Sequence, residues 1–215
     1  MIIAGIHTGI GKTLCSAILC EALGLDYWKP IQAGDLDNSD SIFIKTNVSN
    51  PLCTIHPEAY RLKVAASPHF AADTEGVRID KKKLILPKSE NKILVETAGG
   101  IMSPLGKGFL NIDLIKQLKL PVIVVSENYL GSINHSLMTI KLLQKAKIPI
   151  LGIVFNGETV QSSVDFIIEN TQLPLLFSIP RFDVVNNQVI KAFIQNSNVS
   201  NVTAIPFMGG EVFGG

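Results

Sequence analysis

The 215-residue chain has almost no excess of charge of either sign: 19 lysines and arginines stand against 18 aspartates and glutamates. A net charge of +1 creates no broad field for nucleic acid or for an anionic membrane surface. Long apolar runs are missing too. No stretch reaches the roughly 18 residues of a membrane span, and MIIAGIHTGIGK has no basic segment ahead of its short apolar run, so the sequence reads as a cytoplasmic protein. Cysteine is scarce and odd in number. Cys15, Cys20 and Cys53 show no Cys-x-x-Cys spacing and lie among apolar residues, which fits reduced packing thiols better than a disulfide frame or a zinc site. Nor do His56, His69 and His135 fall at metal-ligand spacing; they read as structural or capping residues. Repeats and low-complexity segments are absent. What the chain has in quantity is core material, 47% hydrophobic residues against 17% charged, too little charge for disorder.

Short apolar runs alternate with stretches of helical period, the signature of parallel βαβ units. Strands are predicted at 2–5, 27–32, 93–98, 122–127, 151–156 and 175–179. Helices are predicted at 12–23, 39–46, 112–119, 133–147, 161–170 and 187–196. Gly24 can close the first helix in the left-handed conformation, and Pro121 and Pro149 each stop a helix before a strand. Residues 47–91, with four prolines and the run Lys81-Lys82-Lys83, read as an irregular insertion with one or two short helices and a solvated basic face. A single domain over 1–215 is expected, ending in a glycine-rich tail at 207–215.

The strongest chemical signal follows the first strand: Gly5-Ile6-His7-Thr8-Gly9-Ile10-Gly11-Lys12-Thr13, then a helix. A strand, a glycine loop and a helix N-terminus turn successive N–H groups toward an anion. Lys12 suits the β and γ phosphate oxygens and Thr13 offers a hydroxyl to Mg²⁺. Five residues, one more than the general motif has, separate Gly5 from Gly11. The fold expected is α/β, three-layered and P-loop NTPase-like, with a mostly parallel central sheet.

Magnesium needs hard oxygen ligands, so carboxylates are sought at strand ends. Glu96 stands at the expected edge of the third strand. Asp40 follows the second, where a helix-capping role fits its spacing almost equally well. Lys29 ends a strand beside Trp28 and before Pro30, an unusual place for a surface lysine, and its ammonium could meet transferring charge. His7 lies in the loop, where its ring could simply face solvent.

Taken in order, GIHTGIGKT, KPIQAG, NSD, ASPH, VETAGG, LGSINH, VFNG and SIP resemble the dethiobiotin synthetase family over residues 1 to about 182, including its five-residue loop spacing. The resemblance implies ATP-dependent addition of CO₂ to 7,8-diaminononanoate and closure of a cyclic urea. Lys12, Lys29 and Thr8 would be catalytic. Gly9, Ile10, Gly11, Lys12, Thr13, Leu14, Asp40, Glu96, Thr97, Ala98, Gly99, Asn156, Pro180, Arg181 and Phe182 would bind ATP. Thr13, Asp40 and Glu96 would hold Mg²⁺. Ala33, Gly131, Ser132, Ile133 and Asn134 would bind substrate, the last four receiving a carboxylate from the neighbouring subunit of a homodimer. No nucleic acid or membrane partner is implied.

Ile6-His7 replaces the family's usual Thr-Asp, Ala33 a hydroxyl residue, and Thr97 a glycine. Two other readings share the fold: a partitioning-type ATPase switch and a cobyrinate-type amide synthetase. Against the first stands the lack of a further lysine at Gly5-Ile6; against the second, a length that leaves little room for a glutaminase domain.

Overall fold

The computed structural model describes residues 1–199 and 202, so the glycine-rich tail lies outside the described residues. In chain order the elements are β1 (Ile2–Gly5), α1 (Lys12–Leu23), β2 (Asp26–Trp28), β3 (Ile31–Ala33), α2 (Asp40–Asn47), β4 (Ile55–His56) and β5 (Tyr60–Leu62). Next come α3 (Pro68–Thr74), β6 (Ile93–Gly100), β7 (Pro104–Gly106), β8 (Phe109–Leu110), α4 (Asn111–Leu118), β9 (Val122–Glu127) and α5 (Ser132–Lys145). The chain continues through β10 (Ile150–Asn156), α6 (Gln161–Thr171), β11 (Leu175–Ile179) and α7 (Asn187–Gln195). Two short 3₁₀ turns cover Leu36–Asn38 and Lys81–Lys83.

Seven strands form one sheet in the order β11-β10-β9-β1-β6-β2-β4, every pair parallel. Parallel neighbours need crossovers, and right-handed crossovers running in opposite directions from the centre place helices on opposite faces. Accordingly α1 packs with α2 and α7, while α5 packs with α6. The central strands are buried on both sides: Ile2, Ile3 and Ala4 of β1 and Val122 to Val125 of β9 have no exposed surface. With all strands parallel, it is the direction of the crossovers that reverses around β1, so the C-terminal ends of β1, β6 and β9 open the crevice where this architecture binds ligands.

Most boundaries agree with the sequence within one or two residues, and Gly24 closes α1 at φ 62°, its N–H donating to Cys20 O. Three features differ. Residues 27–32 are not one strand, because Pro30 lacks a donor and the chain leaves the main sheet at Lys29; Ile31–Ala33 then pairs with β5 in a separate two-stranded ladder. The stretch 47–91 is not wholly peripheral, since β4 inside it completes the main sheet beside β2. The third strand continues past residue 98 to Gly100.

Candidate active site

The loop after β1 reaches α1 through Gly11, whose φ of 86° suits glycine, and a side chain there would collide with the Asn156 carboxamide at the end of β10. No side chain caps α1, so its first N–H groups are open to an anion. Lys12, the first residue of that helix, is 6% exposed and its Nζ donates to His7 O at 3.0 Å. Burial lowers its pKa to about 8; the nearby Glu96 opposes that shift and Lys29 adds to it.

Thr13, the next residue, brings its hydroxyl to two carboxylates, Asp40 Oδ1 at 2.5 Å and Glu96 Oε1 at 2.9 Å. Lys29 closes the group. Its Nζ pairs with Asp40 Oδ2 and lies 3.5 Å from Glu96 Oε1. Asp40 is placed by α2, capped by Ser39, whose Oγ accepts from Ile42 N. Lys29 is placed by the Pro30 break, which turns a strand-end ammonium into the crevice at 7% exposure. Glu96 is not a solvated strand-end acid: it lies within β6, 1% exposed, and its other oxygen accepts from Ser16 Oγ at 2.9 Å and Tyr27 OH at 3.0 Å. A buried carboxylate is tolerated only with such partners. Burial, reinforced by Glu96, raises the Tyr27 hydroxyl well above its ordinary pKa, so it stays a donor. The Thr13 hydroxyl and the Asp40 and Glu96 carboxylates form a hard oxygen donor set suited to Mg²⁺, with the Lys29 ammonium beside it as a second positive group rather than a ligand.

The other residues singled out in the sequence fall into three places. Thr8 and Gly9 are exposed at the loop tip with Ile10 buried beneath, and Leu14 is half-buried one turn into α1. Thr8 Oγ1 would lie 3.2 Å from a Cβ added at Gly99, so loop tip and β6 end meet; Ala98 is half-buried beside them. Thr97, by contrast, turns its hydroxyl into the sheet, donating to Ile3 O at 3.1 Å. Ala33 is half-buried at the end of β3. Pro180 and Arg181 are exposed after β11, whereas Phe182 packs edge-on against Phe193 with ring centres 5.8 Å apart. Gly131 opens α5 at φ 100° with no capping side chain; Ser132 is buried, Ile133 half-buried and Asn134 exposed.

Sequence reasoning missed Ser16 and Tyr27. Ser16 is one helical turn beyond Thr13, the only local hint of its role. Nor does the sequence bring together His7, whose ring could simply face solvent, and His135, which reads as structural or capping. Both rings are exposed, but they stack with centroids 6.5 Å apart, and Tyr129 lies beside both. They border a cavity of about 480 Å³ that also meets Thr8, Met102, Met138 and Leu142.

A family model described as an AAA domain matches residues 1–189. The chain is 44% identical to the ATP-dependent dethiobiotin synthetase BioD of Cytophaga hutchinsonii, over 89% of this chain and 93% of that one. Its identity to the protein of the same name from Rhodopseudomonas palustris is 38%, over 96% and 97%. Among solved structures, the MinC:MinD cell division protein complex of Aquifex aeolicus superposes with a TM-score of 0.61 at 17% identity, over 98% of this chain and 97% of that one, which speaks for the fold alone. With identity at this level across nearly the full length of its relatives, the chain belongs to the dethiobiotin synthetase family.

Proposed function

We propose that this chain is a ligase of biotin biosynthesis that uses ATP to join CO₂ and 7,8-diaminononanoate into the cyclic urea of dethiobiotin, releasing ADP and phosphate. The observation that carries the reading is the meeting of Lys29, Asp40, Glu96 and Thr13 beside the open N-terminus of α1. One amine of the substrate attacks CO₂, losing a proton and forming a carbamate. A carbamate oxygen then takes the γ-phosphoryl group and ADP leaves. The second amine attacks the activated carbonyl carbon, phosphate departs and the ring closes.

Each residue has a charge or donor to contribute. The N–H groups of Gly9 to Leu14 wrap the phosphates, and the ammonium groups of Lys12 and Lys29 hold negative charge on the γ-phosphoryl and carbamate oxygens. Thr8 lies at the rim of the reacting groups. Thr13, Asp40 and Glu96 would hold Mg²⁺, which when bound offsets charge on the β and γ phosphates. Asn156, against Gly11, offers the adenine edge both a donor and an acceptor, assisted by Pro180, Arg181 and Phe182; on the other side Ala98 and Gly99 lie near the end of β6 beside Thr8, and Thr97, its hydroxyl taken by Ile3 O, has only its backbone to offer.

One P-loop domain carries all of this, and a homodimer completes it. The uncapped turn from Gly131 to Asn134 suits the substrate carboxylate delivered from the second copy, with Ala33 on the diamine side. Exposed Leu130, Tyr129, Met102 and Met138 give that edge the apolar surface a second copy would cover.

Diamine, bicarbonate and MgATP are supplied together, and ADP and product mass are followed. One ADP per dethiobiotin is expected. ADP release that ignores the diamine would instead favour a nucleotide-driven switch.

A further inference from the structure

We infer that His7 is a positioning residue whose ring ties the phosphate-binding loop to the turn that opens α5, so that nucleotide on the loop orders the end of that helix. The inference deepens the reading above and rests on its nucleotide site. His7 Nδ1 lies 2.8 Å from Thr8 O. A carbonyl oxygen only accepts, so Nδ1 carries the hydrogen and the ring is fixed against its own loop. The His7 carbonyl in turn accepts from Lys12 Nζ at 3.0 Å. An ammonium drawn toward phosphates must share or release that bond, so the backbone of His7 registers whether the loop is filled.

The ring faces the other partner. It stacks on His135 at an interplanar angle of 19° and meets Tyr129 edge-on, with centroids 6.4 Å apart, within the range of favourable ring pairs. Tyr129 OH and His135 Nδ1 are 2.7 Å apart, and the Tyr129 carbonyl accepts from Ser132 N. Tyr129 and His135 therefore bracket the first turn of α5, whose N-cap Gly131 has no atom within 4 Å of where a Cβ would stand.

Amide hydrogen exchange of residues 129–135, with and without the magnesium complex of a non-hydrolysable ATP analogue, tests the link in the full-length protein and in His7→Phe and His7→Ala. Nucleotide should slow exchange in wild type and in His7→Phe, which keeps a ring, and leave His7→Ala unchanged. In steady-state kinetics His7→Ala should raise KM for the diamine about two- to tenfold, the scale of one or two ring contacts, with kcat held and the phenylalanine variant restoring KM. Protection in His7→Ala equal to wild type, or equal loss in both variants, overturns the link. Nucleotide that binds wild type without slowing exchange at 129–135 also overturns it. A wild-type protein that binds nucleotide yet makes no cyclic urea counts against the function and leaves the exchange test standing.

Discussion

Two buried carboxylates on neighbouring strands show how this molecule separates stability from chemistry. Asp26, at the start of β2, is 2% exposed and accepts from Thr54 N, Ser89 Oγ and Asn91 Nδ2, groups without fixed charge, and pairs with the His56 imidazole. Burial raises its pKa, and these donors outweigh burial and hold it below its ordinary value. Glu96, on the adjacent β6 three residues beyond Ile93, the register partner of Asp26, is equally enclosed but shares its oxygens with Lys29 and with Thr13, the residue after the loop lysine. Both are satisfied. Only Glu96 is satisfied by groups that a triphosphate would also engage, and that separates a structural acid from one that can work.

The sharpest way to break the comparison is to remove cations on the Glu96 side. Lys12→Ala should lower kcat on the order of 10²- to 10³-fold, as loss of a preorganised positive group does, with the melting temperature unchanged or raised because a buried ammonium is gone. Glu96→Gln should cost about 10²-fold in turnover and weaken magnesium dependence, measured by titrating Mg²⁺ in the coupled ADP assay. Asp26→Asn should do the reverse. Turnover per folded molecule stays, while denaturant unfolding shows a loss of about 1–3 kcal/mol, because one oxygen becomes a donor facing other donors. The contribution of Asp26 is present above its ordinary pKa of 3.8 and fades as pH falls below it, so the variant should lose the acid limb of the wild-type stability profile.

A gentler probe is pH on the alkaline side. Lys12 titrates at about 8 against an ordinary 10.5, so between those values the unfolded chain binds more protons than the folded one and stability rises with pH. Nucleotide affinity moves the other way, since the folded lysine loses its charge; Kd for the nucleotide should weaken about tenfold from pH 7 to pH 9 by calorimetry. The smallest effect expected is at Ala33. A serine there returns one neutral hydrogen bond and should lower KM for the diamine by about two- to tenfold.

How much of this could be read along the chain depended on distance in sequence. The glycines, Lys12 and Thr13 are contiguous, and their tasks follow from local backbone geometry. Lys29 was legible because Pro30 makes its place abnormal. Glu96 could be located but its surroundings could not, since Tyr27 lies 69 residues away and Ser16 lies 80 away, and neither breaks any local rule. The break in 27–32 was written in Pro30, yet apolar continuity masked it. Strand β4, with only Ile55 and His56, is too short for any period to register. His7 was ambiguous because its ring partners arrive with β9 and α5, more than a hundred residues on.

That two-residue strand has a consequence of its own. An open sheet ends in unsatisfied backbone groups that invite foreign segments, and here the ladder beyond β2 stops after Tyr27↔Ile55 and Trp28↔His56. So brief a rail gives an intruding peptide almost nothing to grip. Accretion into fibrils along this margin is thereby discouraged, at the modest cost of leaving the outermost segment of the barrier thin.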